Sequence, residues 1–397
     1  MSIRDKLKIY DSGSGDSKKP GPGDLPGGEK ILTPGGAVWK FTSTTPLRDL
    51  LRDIDSEPPE NFSALARHHR VSIETPPESL AFIDLETTSL STGTGNYPFL
   101  TGVGYVSGES FIVEQFFMGE YAAEGPMLEM VLPLIQDRTL VTFNGKSFDI
   151  PLLKNRFRMN RVPGFPLDSP HLDLIHPGRR IFRRVFESCS LKSFEERLMG
   201  IVREGDIPGW LIPEVYFSYQ HHGETERIPS VIAHNLQDIR SMYTLLVIFN
   251  GIYREVDTGR YENLAPASLK NIARYLYRHD LESFIDVIRF IGGDILTDRS
   301  LFKKFSTALK RTGRLDEAIA FWEKDRSLFS LEELAKHAEH REKNFTKALD
   351  LCDEAMDILD RKNIMDLHHS SGKELSDLHR ERFAKRIDRL RRKAGGV

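Results

Sequence analysis

The 397-residue chain carries a formal net charge of -3, because 55 Lys and Arg nearly balance 58 Asp and Glu. That balance excludes a uniformly basic nucleic-acid binder but not local basic patches; the two distant cysteines, Cys189 and Cys352, exclude a disulfide framework and match no metal-ligand spacing. No apolar run approaches the roughly 20 residues of a membrane helix, and no basic region with an apolar core opens the chain, so a soluble cytoplasmic protein of two or three domains is expected.

Residues 1–30, rich in Gly, Ser, Pro and Lys, predict a disordered leader, since so little of that composition can be buried. An N-terminal extension follows at 31–77, with strand character from Ala37 to Thr42 and a short helix from Pro46 to Ile54. It is expected to pack on the edge of the next domain or to cover its groove.

A domain at 78–255 then begins with strands in quick succession: Leu80 to Glu86, Phe99 to Val106, and Ser110 to Phe117. Ser-Gly-Glu at 107–109 is turn chemistry and predicts an antiparallel hairpin. Gly125-Pro126 opens a helix to Ile135, and a strand from Thr139 to Phe143 leads through Asn144-Gly145-Lys146-Ser147-Phe148 to a helix from Ile150 to Met159. A fifth strand is placed at His171 to Ile175. Three strands followed by helix, strand, helix and strand predict an α/β domain with a mixed five-stranded sheet flanked by helices. Cys189 to Met199 reads as a helix capped by Ser188 or Ser190, residues 206–213 as loop, and Pro229 to Tyr253 as a long helix. Residues 256–266 read as a boundary.

The remainder, 266–397, is predicted to be all helical. Ala318 and Ala348 occupy matching places at a spacing of about 30 residues, short of the roughly 34 of tetratricopeptide repeats, so the pattern is repeat-like or that of a generic bundle. The basic final helix, His379 to Lys393, is either a solvated face or a phosphate contact.

The chemistry starts in Leu80-Ala81-Phe82-Ile83-Asp84-Leu85-Glu86, an apolar run that delivers two carboxylates. Strand side chains alternate between faces, so Asp84 and Glu86 project to one side. Like charges so placed either end a strand in solvent or share a hard divalent cation. Asp149 stands where the fourth strand gives way to a helix, and Asp238 lies inside the long helix. With the first and fourth strands parallel, Asp84 and Asp149 fall at carboxyl ends of strands, where open α/β sheets place ligands. A helix crossing that edge adds Asp238, and four buried acids so gathered require cations.

Asp84-x-Glu86, Asn144-x-x-x-Phe148-Asp149 and His234-x-x-x-Asp238 resemble the three-motif signature of the DEDD superfamily of 3′-5′ exonucleases, on the ribonuclease H-like fold. Phe-Asn-Gly-Lys-Ser-Phe-Asp-Ile-Pro-Leu-Leu, Cys-Ser-Leu-Lys-Ser-Phe-Glu, Asp-Ile-Pro-Gly-Trp and His-Asn-Leu-Gln-Asp-Ile are similar to phrases of the YprB-type ribonuclease H-like proteins. That resemblance covers roughly residues 78 to 255, and the ordered set is far more specific than any one motif. Some members of that group also carry tetratricopeptide-like helices after the nuclease-like domain.

The resemblance implies phosphodiester hydrolysis with two Mg²⁺ or Mn²⁺ ions held by Asp84, Glu86, Asp149 and Asp238. One feature departs from the superfamily: its third motif has Tyr four residues before the Asp or His five before it, whereas His234 here stands four before Asp238. Four residues along a helix keep both on one face. An unperturbed histidine, near pKa 6.5, suits a general base; the alternative is that His234 only caps or packs.

Asn144 and Lys146 are candidate substrate contacts, with Phe148 expected to pack beneath the strand and Asp173 to support the site or serve as a turn acid. Asn235 is left between sheet and substrate. Arg179, Arg180, Arg183 and Arg184, interleaved with Phe182, read either as phosphate contacts with a stacking ring or as a solvated connector. Gly102-x-Gly104 lacks the strand-loop-helix context of a dinucleotide site, and His221-His222 lacks cysteine partners for zinc. The expected activity is therefore a 3′-5′ exonuclease on single-stranded DNA or RNA. The alternatives are a structure-specific endonuclease on the same site and a non-catalytic scaffold that binds nucleic acid or a protein partner through its C-terminal helices.

Overall fold

A computed structural model of the protein describes residues 24–69, 76–89, 95–166, 169–292, 298–365 and 370–394. The chain divides into two compact units, Met1–Glu255 and Val256–Val397. The expected leader lies outside the described residues up to position 23. Within its C-terminal end, Leu25 lies in the core and a strand begins at Glu29.

The first unit is built on one mixed sheet of seven strands rather than the expected five. In chain order these are β1 (Glu29–Thr33), β2 (Gly36–Pro46), β3 (Leu80–Thr87), β4 (Pro98–Ser107), β5 (Ser110–Met118), β6 (Thr139–Thr142) and β7 (His171–Asp173). Their order across the sheet is β1-β2-β5-β4-β3-β6-β7. The two additional strands form a hairpin from the N-terminal extension, and β2 pairs antiparallel with β5 from Val38↔Met118 to Pro46↔Ser110. Gly36, at φ +121°, opens β2 directly after that hairpin's turn, where a side chain would be strained. Without the hairpin, β5 would be an open edge with unpaired backbone groups, so the extension completes the sheet.

β3 sits in the middle, antiparallel to β4 and parallel to β6, and β6 is parallel to β7. Leu80, Ala81, Phe82, Ile83 and Leu85 are all buried, as a central strand covered on both faces requires. On one face Ala81, Ile83 and Leu85 share a cluster with three helices: α3 (Glu124–Ile135), α4 (Asp149–Met159) and α7 (Ile212–His222). The other α-helices among the described residues of this unit are α1 (Leu47–Leu51), α2 (Ser63–His69), α5 (Ile175–Phe182), α6 (Leu191–Phe194) and α8 (Ile228–Asp257). Phe99 of β4 stacks on Tyr216 of α7 with ring centroids 4.1 Å apart. On the other face Phe82 meets Tyr243 of α8 edge-on at 5.9 Å.

Helix α8 lies close against this second face because β4 offers Gly102 and Gly104. A Cβ on Gly102 would fall 2.2 Å from Asn235 Oδ1, and one on Gly104 would fall 2.5 Å from Ile239 Cγ2. The Gly102-x-Gly104 pair is thus a seat for a helix. The extension is tied to the same helix: Arg240 Nη2 donates to Ser43 Oγ at 3.0 Å and to Thr45 Oγ1 at 2.8 Å, and Asn250 accepts from Leu65 N at 3.1 Å.

The second unit is helical throughout its described residues, with α9 (Pro266–His279), α10 (Leu281–Ile291), α11 (Arg299–Arg311), α12 (Leu315–Asp325), α13 (Leu328–His337), α14 (Phe345–Met365) and α15 (Ser370–Ala394). Each helix packs on the next in chain order. Asp280, Asp298 and Ser327 cap α10, α11 and α13 by accepting backbone N–H groups of the first turn. Ala318 and Ala348, the matched small residues, are both fully buried. Part of the basic run on α15 is paired within the unit: Arg386, Arg389 and Lys393 converge on the buried carboxylate of Glu339.

Candidate functional site

The even-numbered side of β3 turns from apolar to acidic as the strand leaves Phe82. Asp84 and Glu86 share a face, and that face is covered by α8, whose Asn235 is fully buried. Asn235 Nδ2 donates to Asp84 Oδ2 at 2.7 Å and to the Asp84 carbonyl at 3.2 Å. Its Oδ1 accepts from Gln115 Nε2 at 2.8 Å, and the same Nε2 donates to the Ile232 carbonyl at 2.8 Å. Gln115 accordingly fixes which way the Asn235 amide points, and Asn235 fixes Asp84.

Asp149 arrives from the other side of β3, at the first residue of α4. The turn before it is held by Asp173, which is 2 % exposed at the end of β7. Its carboxylate accepts the backbone N–H of Asn144 at 2.7 Å, of Lys146 at 3.0 Å and of Ile175 at 3.2 Å. Asn144 adopts φ +66°, a left-handed conformation that asparagine tolerates better than most residues. Asp173 thus supports the site. Phe148, expected beneath the strand, is instead 46 % exposed, because the turn faces its ring outward just before Asp149 enters the helix.

The third wall is a charged network. Arg203, from the loop after α6, donates through Nε to Glu195 Oε2 at 2.8 Å and through Nη2 to Glu195 Oε1 at 2.5 Å. The same Nη2 bonds Asp238 Oδ1, and Nη1 reaches Asp206 Oδ2 at 3.4 Å. Glu195 is wholly buried and also accepts the Ser241 hydroxyl. Asp206 Oδ1 lies 2.8 Å from His234 Nδ1, and His234 Nε2 lies 3.7 Å from Asp238 Oδ2. Both His234 and Asp238 look toward this wall, as their four-residue separation on α8 allows.

The acids repel one another. Burial raises Asp84 well above the usual carboxylate range, and the charges of Asp238, Glu86 and Asp149 raise it further, while the Asn235 amide holds it back. Glu86 is raised by burial, then by Asp238, Asp149 and Asp206. Burial lifts Asp149 to about 7, with Asp173 and Asp238 adding to the shift and hydrogen bonds from its own backbone and that of Leu85 opposing it. Asp238 is raised by burial against the pull of Arg203 and His234. Asp206 moves the other way: burial would raise it, but its hydrogen bond to His234 and the Arg203 charge hold it low.

An all-carboxylate set under mutual repulsion is the donor chemistry that hard divalent cations satisfy. Yet among the described residues no three acidic, histidine or cysteine side chains are gathered as ligands of one ion. Asp84 is turned to Asn235, and Asp238 to Arg203.

The arginine cluster divides. Arg179, Arg183 and Arg184 are exposed, but Arg180 donates to the His68 carbonyl at 3.1 Å and lies 3.0 Å from His69 Nε2. Phe182 is buried and stacks on Phe186 at 4.6 Å, so it offers no ring to a base. The reason is helical register: Ile181 and Phe182 face the core of the unit, leaving the flanking arginines outside. Reading the sequence also assigned nothing to Gln115, Glu195, Arg203 or Asp206. Glu195 closes the Cys-Ser-Leu-Lys-Ser-Phe-Glu phrase and Asp206 opens Asp-Ile-Pro-Gly-Trp, so both stood inside phrases that carried the resemblance.

A model of the RNase_H superfamily matches residues 81–250. A relative described as "Uncharacterized protein YprB", from Bacillus subtilis (strain 168), is 30% identical over 327 residues, covering 79% of this chain and 75% of that protein. The chain belongs to the family of that YprB protein, and its residues 81–250 form a domain of the RNase_H superfamily. The superfamily match runs from β3 into α8, so it contains the four acids, His234 and the Arg203–Asp206 loop, while the β1–β2 hairpin lies before it. Membership in the superfamily points to nucleic-acid hydrolysis. Among the described residues no helix is long and apolar enough to cross a membrane.

Proposed function

We propose that this protein is a metal-dependent nuclease of the DEDD type, a 3′-5′ exonuclease acting on single-stranded DNA or RNA. The observation that carries the reading is the gathering of four half-buried acids, Asp84, Glu86, Asp149 and Asp238, from three separate segments, close enough that the charges of the other three all act on Asp84. A fold has no stability reason to bring such charges together, whereas a catalytic site has a chemical one.

Asp84, Glu86, Asp149 and Asp238 would hold Mg²⁺ or Mn²⁺. When bound, such ions supply charge stabilisation for the attacking and leaving oxygens of the scissile phosphodiester. His234 is the general base of this reading. Asp206 accepts its Nδ1 proton, which leaves the Nε2 lone pair directed to the acidic side to receive a proton from water. Exposed Lys146 and Phe148, beside Asp149, suit a phosphate contact and a base-stacking contact, and Arg179, Arg183 and Arg184 are further candidates for phosphate. Asn144, whose backbone is committed to Asp173, shapes the turn that presents them. The second unit reads as a tetratricopeptide-like stack available to a protein partner, a reading supported by the consecutive helix pairing and the buried Ala318 and Ala348.

End-labelled single strands incubated with Mg²⁺ or Mn²⁺ test this proposal. Stepwise shortening from the 3′ end is expected, with no reaction on circular strands. Cleavage of circles would assign endonuclease action instead, and full activity in an Asp84→Asn/Asp149→Asn protein would remove the site altogether.

A further inference from the structure

We infer that the Arg203 guanidinium is the protein's own counter-cation for Asp238, and that a divalent ion entering the carboxylate cluster must take Asp238 from it. This deepens the proposed metal-dependent reading and rests on it.

Arg203 is 8 % exposed and its hydrogen bonds divide into an anchor and a surplus. The anchor is Glu195, whose buried carboxylate receives Nε and Nη2 side by side, the two-point geometry that guanidinium and carboxylate favour. Ser241 and the burial of Glu195 keep that pair in place. Asp238 is the surplus: it shares Nη2 with Glu195. Losing Asp238 therefore leaves Arg203 still doubly bonded to Glu195 and in reach of Asp206, so no buried cation is orphaned.

The exchange is asymmetric for the acids. Three carboxylates, Glu195, Asp206 and Asp238, face one guanidinium, and Asp84 and Glu86 add two more acids on the face of β3 that α8 covers. A divalent ion offers Asp238 twice the charge and at the same time relieves its repulsion of the other two. Until it arrives, Arg203 limits the net negative charge of the cluster. The loop that carries Arg203 is bounded by Gly200 and Gly205, both in left-handed backbone at φ +68° with nothing packed where a side chain would be. Arg203 is thus a positioning residue that tunes metal affinity, apart from any contact with substrate.

The test is Mn²⁺ binding to the full chain without nucleic acid, by calorimetry. Arg203→Met is expected to bind Mn²⁺ about tenfold more tightly than the unchanged protein, within the range by which groups around metal ligands alter affinity. Equal or weaker binding overturns the inference. Because Arg203→Met strands Glu195, the double variant Arg203→Met/Glu195→Gln is titrated beside it and carries the same expectation. A third measurement uses the unchanged chain labelled with ¹⁵N-arginine, the Arg203 side-chain signal being identified by its loss in Arg203→Lys. Saturation with Mg²⁺ is expected to shift that signal, and an unmoved signal overturns the inference whatever the variants do. No Mn²⁺ binding at all would overturn the metal-dependent reading as well, whereas binding without hydrolysis would sink only the nuclease.

Discussion

Asp206 Oδ1 stands 2.8 Å from His234 Nδ1, and the opposite nitrogen of that ring stands 3.7 Å from Asp238 Oδ2. A carboxylate only accepts, so in the neutral ring the proton sits on Nδ1 and the lone pair on Nε2 faces the acids. Asp206→Asn keeps an acceptor but removes the carboxylate charge beside Nδ1. The expected loss in single-turnover hydrolysis is about 10- to 100-fold, against about 10²- to 10⁴-fold for His234→Ala. In the double variant the two losses should fail to add, since both residues serve one proton transfer.

Removing one of the repelling acids should stabilise the metal-free protein. Asp84 is raised by its own burial and by three neighbouring carboxylates, so its charge at neutral pH is paid in folding stability. Asp84→Asn can still accept from Asn235 and is expected to gain about 1 to 3 kcal/mol in urea denaturation with EDTA present. Added Mg²⁺ should raise the melting temperature of the unchanged protein and move that of the variant much less.

Gly102 gives α8 its closest approach to the sheet. A methyl group there would meet Asn235 Oδ1 at 2.2 Å and Ile239 Cδ1 at 2.3 Å, neither of which is a loose surface chain. Gly102→Ala is expected to cost about 1 to 3 kcal/mol, as over-packing of a core does. It should also displace Asn235 from Asp84 and so depress hydrolysis more than the stability loss explains. Activity measured well below the melting temperature separates the two effects.

Glu339 governs the acid limit of the second unit. Burial alone would raise its pKa, but hydrogen bonds from Arg389 and Lys393 outweigh that and hold it at about 2. A depressed carboxylate stabilises the fold fully above its unfolded value, near 4.5, and the gain is lost as pH falls from there toward 2. Glu339→Gln should therefore destabilise this unit by about 1 to 3 kcal/mol at pH 7, discounted for the exposure of Arg389 and Lys393. The gap between variant and unchanged protein should be flat from pH 7 to 5 and close steadily below pH 4.5, as followed by denaturant unfolding.

Much of the acidic set was legible in the sequence because it depends on local geometry. Alternation along a strand put Asp84 and Glu86 on one face, helical spacing put His234 and Asp238 on another, and the strand-to-helix junction located Asp149. The five strands of the superfamily segment were visible as apolar runs between turn residues, and the hairpin at Ser107–Ser110 formed as its turn chemistry required. Strand character from Ala37 to Thr42 was legible too, but that the β1–β2 hairpin would join the sheet itself depended on the open edge of β5, which residues 29–46 do not encode.

Tertiary structure alone decided the partners. Phe148 and Phe182 each stand beside a charged residue in the sequence, yet one faces solvent and the other fills the core. Asn235, Gln115, Arg203 and Asp206 acquired their places through hydrogen bonds to residues as many as 151 positions away. Residue type and spacing fix which face a side chain occupies, but the group that meets it across the fold is set by how helices and strands pack. The sequence by itself determined that carboxylates would cluster at the end of β3. Only the folded chain decided that an amide would hold Asp84, an arginine Asp238, and an aspartate the histidine between them.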